Sequence, residues 1–203
     1  MNISPRGKGI FIFIMLCVIF ILPIILAGLY FKEIGKFHEK TINYGELIQP
    51  PRQLEKLALN DANNKPIPSQ TFHGKWLFLY VNPGVCKEDC QKELYNIRQV
   101  RFATGKNMDR IQRAIITFTK PKADPELQQL LQGEYSGTIF ALAQPKQFEN
   151  VMDGLDTTKL AMTQGYLYLV DPLGNIMMEY PLNANPSLIL QDLQKLLKVS
   201  QIG

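Results

Sequence analysis

The chain has 203 residues, 46% of them hydrophobic and 20% charged, with a formal net charge of +4. That length holds one ordinary globular domain and an additional segment. The positive charge is spread thinly, with no long Lys/Arg block, so nothing in it selects nucleic acid as a partner. The absence of GxGxxG, GxxxxGK[ST] and HExxH patterns and of any internal repeat removes dinucleotide, P-loop and zinc-protease chemistry from consideration.

Residues 10–31 (IFIFIMLCVIFILPIILAGLYF) form a run of 22 without a charge. At about 1.5 Å per residue, such a run crosses a ~30 Å hydrocarbon core. The expectation is an uncleaved transmembrane anchor over 9–31 behind a cytoplasmic tail of residues 1–8. A cleaved signal peptide has a shorter apolar core and a small-x-small site, which Ala27-Gly28 matches poorly. Pro23 and Gly28 are tolerated in a membrane helix. Arg6 and Lys8 precede the run and Lys32, Glu33 and Lys36 follow it, a weak bias toward a cytoplasmic N-terminus. The expected location is therefore the inner (cytoplasmic) membrane, crossed once, with the C-terminal domain on the outer, periplasmic side.

Residues 32–53 read as a connector. The part 42–52 (INYGELIQPPR) contains Gly45, Pro50 and Pro51 and is expected to be extended, while 54–60 (LEKLALN) alternates well enough for an edge strand. The globular domain is expected over 54–203. Its centre is 75–81 (KWLFLYV), an aromatic and β-branched run bounded by Gly74 and by Asn82-Pro83-Gly84, the pattern of a buried central strand.

Cys86 and Cys90 follow that strand, and 91–104 carries Leu94, Ile97, Val100 and Phe102 at the spacing of an amphipathic helix. Two cysteines four apart on a helix share a face, with β-carbons ~5–6 Å apart, so a disulfide or a shared metal ion is geometrically accessible. A helix N-terminus favours the thiolate of Cys86, whereas Glu88 and Asp89 oppose it. Cys86 is expected to be the more reactive thiol and the nearer to the domain surface. The third cysteine, Cys17, falls inside the apolar run, where an apolar role is expected. A loop closed over so few residues gains little chain entropy, and a domain of this size does not depend on a staple. A redox or metal role for Cys86 and Cys90 is favoured over a structural one.

After Gly105, the run 113–118 (RAIITF) predicts a second buried strand, parallel to the first across a right-handed crossover. A loop over 120–125, a helix over 125–132 opened by Pro125 and stopped by Gly133, a strand over 138–143 and a short helix over 146–152 follow. Residues 166–170 (YLYLV) and 176–180 (IMMEY), joined by Asp171-Pro172-Leu173-Gly174-Asn175, predict a hairpin, and 186–199 a closing amphipathic helix.

A strand–helix–strand unit followed by a hairpin and a terminal helix, with cysteines at the first helix N-terminus, is the pattern of a thioredoxin-like fold. The fold class expected is α/β, a mixed sheet flanked by helices, behind a single N-terminal transmembrane helix. The anchor, the extended connector, the N-P-x-x-C-x-x-x-C stretch and the Tyr168–Gly174 hairpin motif together resemble the SCO/SenC family of membrane-anchored copper chaperones and thiol reductases for cytochrome c oxidase assembly. The resemblance implies a copper-bearing oxidase subunit or another assembly factor as partner. It also implies a copper site of two cysteines and a histidine just ahead of the last hairpin.

The sequence departs from that pattern at the histidine. Residues 160–166 (LAMTQGY) contain none, and Thr163 stands about where the ligand belongs. His73 precedes the central strand and is expected at the far end of the sheet from the cysteines, while His38 lies in the connector. Two thiolates still suit Cu(I), with Met162 as a candidate thioether, whereas Cu(II) prefers nitrogen ligands. The departure shifts weight from copper carriage toward thiol–disulfide exchange. A general envelope oxidoreductase calls for a cis-proline loop facing the cysteines, and no proline stands between Pro145 and the strand at Tyr166. A scaffold with a structural disulfide is the third reading.

Overall fold

The computed structural model describes residues 5–34, 43–118, 124–200 and 202. The chain divides into two units, Met1–Ile42 and Asn43–Gly203. In the first, helix α1 runs Pro5–Ile34 with Pro23 inside it. Its side chains are described continuously only over 15–28, about 21 Å of rise. Among the described residues no helix is long and apolar enough to cross a membrane. Residues 35–42, with His38, lie outside those described.

The second unit runs β1 (Glu46–Gln53), 3₁₀ turns at Leu54–Lys56 and Ser69–Phe72, β2 (Trp76–Asn82), α2 (Glu88–Ala103), a 3₁₀ segment Gly105–Arg110, and β3 (Ile111–Thr117). It continues through α3 (Pro125–Gln132), β4 (Thr138–Leu142), α4 (Pro145–Val151), α5 (Thr158–Thr163), β5 (Tyr166–Val170), β6 (Asn175–Pro181) and α6 (Pro186–Val199). The six strands lie in the order β1-β6-β5-β2-β3-β4. β2, β3 and β4 are mutually parallel, and β5 runs antiparallel to both β2 and β6. This is the mixed α/β, thioredoxin-like architecture.

The sheet is covered on both faces, which explains why β2 is apolar without interruption from Trp76 to Val81 and why all seven of its residues are buried. Alternation sends Leu77, Leu79 and Val81 to one layer, shared with Phe148 of α4 and Ala161 of α5. Trp76, Phe78 and Tyr80 point to the other, shared with Leu94 and Ile97 of α2, Leu127 of α3 and Leu193 of α6.

Two segments correct the expectations. Residues 54–60 are not an edge strand: Leu54–Lys56 is a 3₁₀ turn, and only Asn60 makes isolated bridges, to Pro66 and Leu142. Leu54, Leu57 and Leu59 are buried in one cluster, so the spacing that suggested alternation serves a turn. The edge strand is β1, inside the stretch expected as an extended connector, and it pairs antiparallel with β6. Pro50 and Pro51 fall where the β1–β6 register shifts, on an edge that tolerates missing donors. Asp192 of α6, fully buried, holds the strand's approach by accepting the N–H groups of Tyr44 and Gly45 at 2.8 and 2.9 Å. The second difference is α5: the stretch carrying Met162 ahead of the hairpin reads in the sequence as a loop, and Thr158–Thr163 is helical.

Candidate functional site

The site grows from the C-terminal end of β2. Asn82, the last strand residue, is buried and donates through Nδ2 to Gly84 O at 2.8 Å, closing the turn that follows. Cys86 then precedes Lys87, the N-cap of α2, and Cys90 sits in the first helical turn beside Glu88 and Asp89. The two acids occupy the end where the helix dipole favours negative charge. Cys86 and Cys90 are joined in a disulfide with Cα atoms 5.1 Å apart. Only Cys90 is helical, so the pair does not lie on one helical face as expected. The bridge instead ties the extended entry segment to the first turn.

A residue missed in the sequence anchors this segment. Asp124, 5% exposed, accepts the Cys86 N–H through Oδ2 at 2.7 Å and the Leu127 N–H through Oδ1 at 3.0 Å. One carboxylate thus caps α3 and fixes the cysteine backbone. The Asp124-Pro125-Glu126 string is a readable helix-start signal, but nothing in it announces a bond to a residue 38 positions away.

Burial corrects a further expectation. Cys86 is 1% exposed and Cys90 3%, so Cys86 is not the surface thiol. Both sulfurs belong to the layer of Tyr80, Leu94 and Leu127. What reaches solvent beside them is Val85, Lys87, Glu88 and Asp89.

Glu93, three residues beyond Cys90 on α2, is completely buried. Its Oε2 accepts the Asn183 N–H at 3.2 Å, and Oε1 has no partner among the described residues. Burial pushes this carboxyl up to about 7, against the opposing pull of the Asn183 N–H and Lys92. Tyr80 is driven well above the usual phenol range, first by burial and then by the charges of Glu93 and Asp89. A Cβ at Gly165, which enters β5 with φ 95°, would fall 3.1 Å from the Tyr80 hydroxyl and 3.0 Å from Val81 O. Glycine is required there for both space and backbone conformation.

The other candidates separate from the cysteines. Met162 packs against the opposite layer, with Leu79 and Val81, and is not brought to the sulfurs. Thr163 ends α5 and turns its hydroxyl back to Lys159 O at 2.8 Å. His73 lies at the start of β2, as expected, against Gly174 of the β5–β6 turn. Among the described residues no three His, Cys, Asp or Glu side chains group to hold a metal. The donor set at the disulfide is two sulfurs, which when reduced fit a soft monovalent ion and not one demanding nitrogen ligands.

Fold and site together define a thioredoxin-like domain with a cysteine pair at the junction of its central strand and first crossover helix. The chain belongs to the family described as transmembrane-like, thioredoxin-like, C-terminal domain, whose model matches residues 76–200. No curated protein matches the sequence. Among solved structures, yeast Sco1 with copper bound is similar at 17% identity and TM-score 0.53, over 74% of this chain and 92% of that one. Apo Sco1 from Thermus thermophilus is similar at 13% identity and TM-score 0.56, over 78% of this chain and 99% of that one. A SCO1/SenC family lipoprotein from Bacillus anthracis str. Ames matches at 17% identity and TM-score 0.53, over 74% and 99%. At these identities the likeness is one of fold.

Proposed function

We propose that this protein is a membrane-anchored thiol–disulfide exchange factor for cytochrome c oxidase assembly, acting on the cysteines of a copper-bearing subunit or of another assembly factor. The observation that carries the reading is the Cys86–Cys90 disulfide at the end of β2. In the reducing direction, the Cys86 thiolate attacks a partner disulfide, forming a mixed disulfide and releasing one partner thiol. Cys90 then attacks Cys86 Sγ, closes the internal bridge and releases the second thiol. Two electrons and two protons pass to the partner. Glu93, three residues beyond Cys90 on the same helix, serves in this proposal as the acceptor of the Cys90 proton, its burial having raised its titration to about 7.

The reduced pair also has the donors for Cu(I) as cargo, since soft thiolates select that ion. The missing imidazole leaves Cu(II) without its preferred donors. The yeast and Arabidopsis thaliana Sco structures solved with copper bound support this extension. The uncharged run at 10–31 supports anchoring in the inner membrane, with the Asn43–Gly203 unit on the outer side.

The test uses the full chain in detergent. Titration in graded thiol buffers, read by alkylation mass spectrometry, is expected to give one two-electron transition for Cys86 and Cys90. Cys90→Ser is expected to trap a mixed disulfide with a cysteine-bearing oxidase subunit. The reduced chain is expected to bind one Cu(I), with affinity unchanged in Met162→Leu because that side chain packs in the other layer. A disulfide that resists reduction until the chain unfolds would make the bridge structural and sink the proposal.

A further inference from the structure

A second cluster lies where the C-terminal half of α2 covers the β3–β4 edge of the sheet. Arg113 of β3 faces that layer between Ile111 and Ile115 and is 8% exposed. Its Nη2 donates to Ser136 O at 2.9 Å, while Nη1 is buried with no partner among the described residues. The register partner of Arg113 on the edge strand is Thr138, and Thr138 Oγ1 is likewise buried and unpartnered. Two buried groups able to donate, on register-paired positions of neighbouring strands, therefore have no acceptor among the described residues, an arrangement that costs free energy unless something supplies one.

Two further guanidinium groups stand near it, and the carboxylates that meet them are exposed. Arg98 and Arg101, three apart on α2, both act on Arg113 and, after burial, are what lowers its pKa. Arg98 is held over the Phe102 ring at 5.1 Å and lies 3.4 Å from Glu134 Oε1. Arg101 donates through Nε to Ile111 O at 2.9 Å, and its other contact is Asp109 at 4.0 Å, a side chain 91% exposed. Glu134 is half exposed, so its pairing with Arg98 is weak and readily displaced. Ser136 and Gly137 are exposed, and a Cβ on Gly137 would stand 3.8 Å from Arg113 Nη2. The guanidinium is thus within reach from the sheet edge.

We propose that Arg98, Arg101, Arg113 and Thr138 form a binding site for a phosphate group, borne either by free phosphate or by a phospholipid headgroup. Planar guanidinium forks match phosphate oxygens in bidentate fashion. Three forks and a hydroxyl also offer more donors than the two oxygens of a carboxylate can accept, and Glu134 meets only one of the forks.

The experiment titrates the full chain in neutral detergent with inorganic phosphate and, separately, with glycerol 3-phosphate, at ionic strength matched by sodium chloride. Calorimetry is expected to give saturable binding of one equivalent. Arg98→Gln is expected to weaken it about tenfold, and Thr138→Val several-fold, with loss of the charge-assisted contacts. Disulfide titration of both variants should be unchanged, because neither residue touches the cysteines. Both substitutions are at partly exposed positions, which keeps the test independent of whether Arg113→Lys folds. Tighter binding of glycerol 3-phosphate would support the site and identify a lipid headgroup as its source. Equal or tighter binding of inorganic phosphate would support it with free phosphate. No saturable binding of either probe, or binding undiminished in both variants, would overturn the proposal.

Discussion

Glu93 is buried, and desolvation outweighs the opposing pull of the Asn183 N–H and of Lys92 to move its titration up to about 7. The unfolded chain ionises this carboxyl near 4.5, so between the two values only the folded state holds the proton. The stabilisation is fully present below the unfolded pKa and is lost as pH rises through about 7. Glu179, raised by burial although Thr157 Oγ1 donates to it at 2.7 Å, adds in the same direction. Thermal unfolding of the full chain in detergent is therefore expected to show stability falling from pH 5 to pH 8. Glu93→Gln should flatten most of that slope, up to about 3 kcal/mol. An unchanged slope in the variant would assign the titration to another group.

Among the elements, β2 and α2 are joined by a segment held at three points. Asn82 closes its turn, the disulfide ties it to the helix, and Asp124 fastens the Cys86 N–H while capping α3. Removing that carboxylate leaves a buried N–H unpaired and a helix uncapped. Asp124→Ala is expected to cost about 2–4 kcal/mol in urea unfolding, the sum of a lost cap and an orphaned donor. It should also speed reduction of the disulfide by dithiothreitol, because the segment holding the buried Cys86 sulfur loosens. Destabilisation with no change in reduction rate would separate the cap from the site.

At the scale of the whole molecule, the thioredoxin-like unit is preceded by the uncharged run of residues 10–31, on which the proposed membrane anchor rests. The chain is expected to stay with membranes after alkaline extraction, and a reporter fused after Gly203 to be active only outside the cytoplasm. Release of a shortened soluble form would identify the segment as a signal peptide. In the second unit, a sheet buried on both faces divides the side chains of one strand between two separate layers. That division decides which residues can meet the cysteines.

Sequence by itself determined much of this protein. The apolar runs in β2 and β5, the β-branched run Ile115–Thr117 in β3, the turn residues at 171–175 and the Pro-led helix starts at 125 and 186 lie where local physics places them. So does the position of the cysteines after the central strand. Tertiary structure alone decided the rest. β1 carries two prolines and no strand periodicity, and it is a strand because β6 offers a free edge to pair with. Met162 is close to the β5 entrance along the chain but lies across the sheet from the cysteines, because α5 packs on one face and α2 on the other. The burial of Cys86, the capture of its N–H by Asp124 and the isolation of Glu93 likewise depend on contacts between residues far apart in the chain. Pattern and propensity act over a few residues, whereas the layer a side chain enters is fixed only when the crossovers choose their faces.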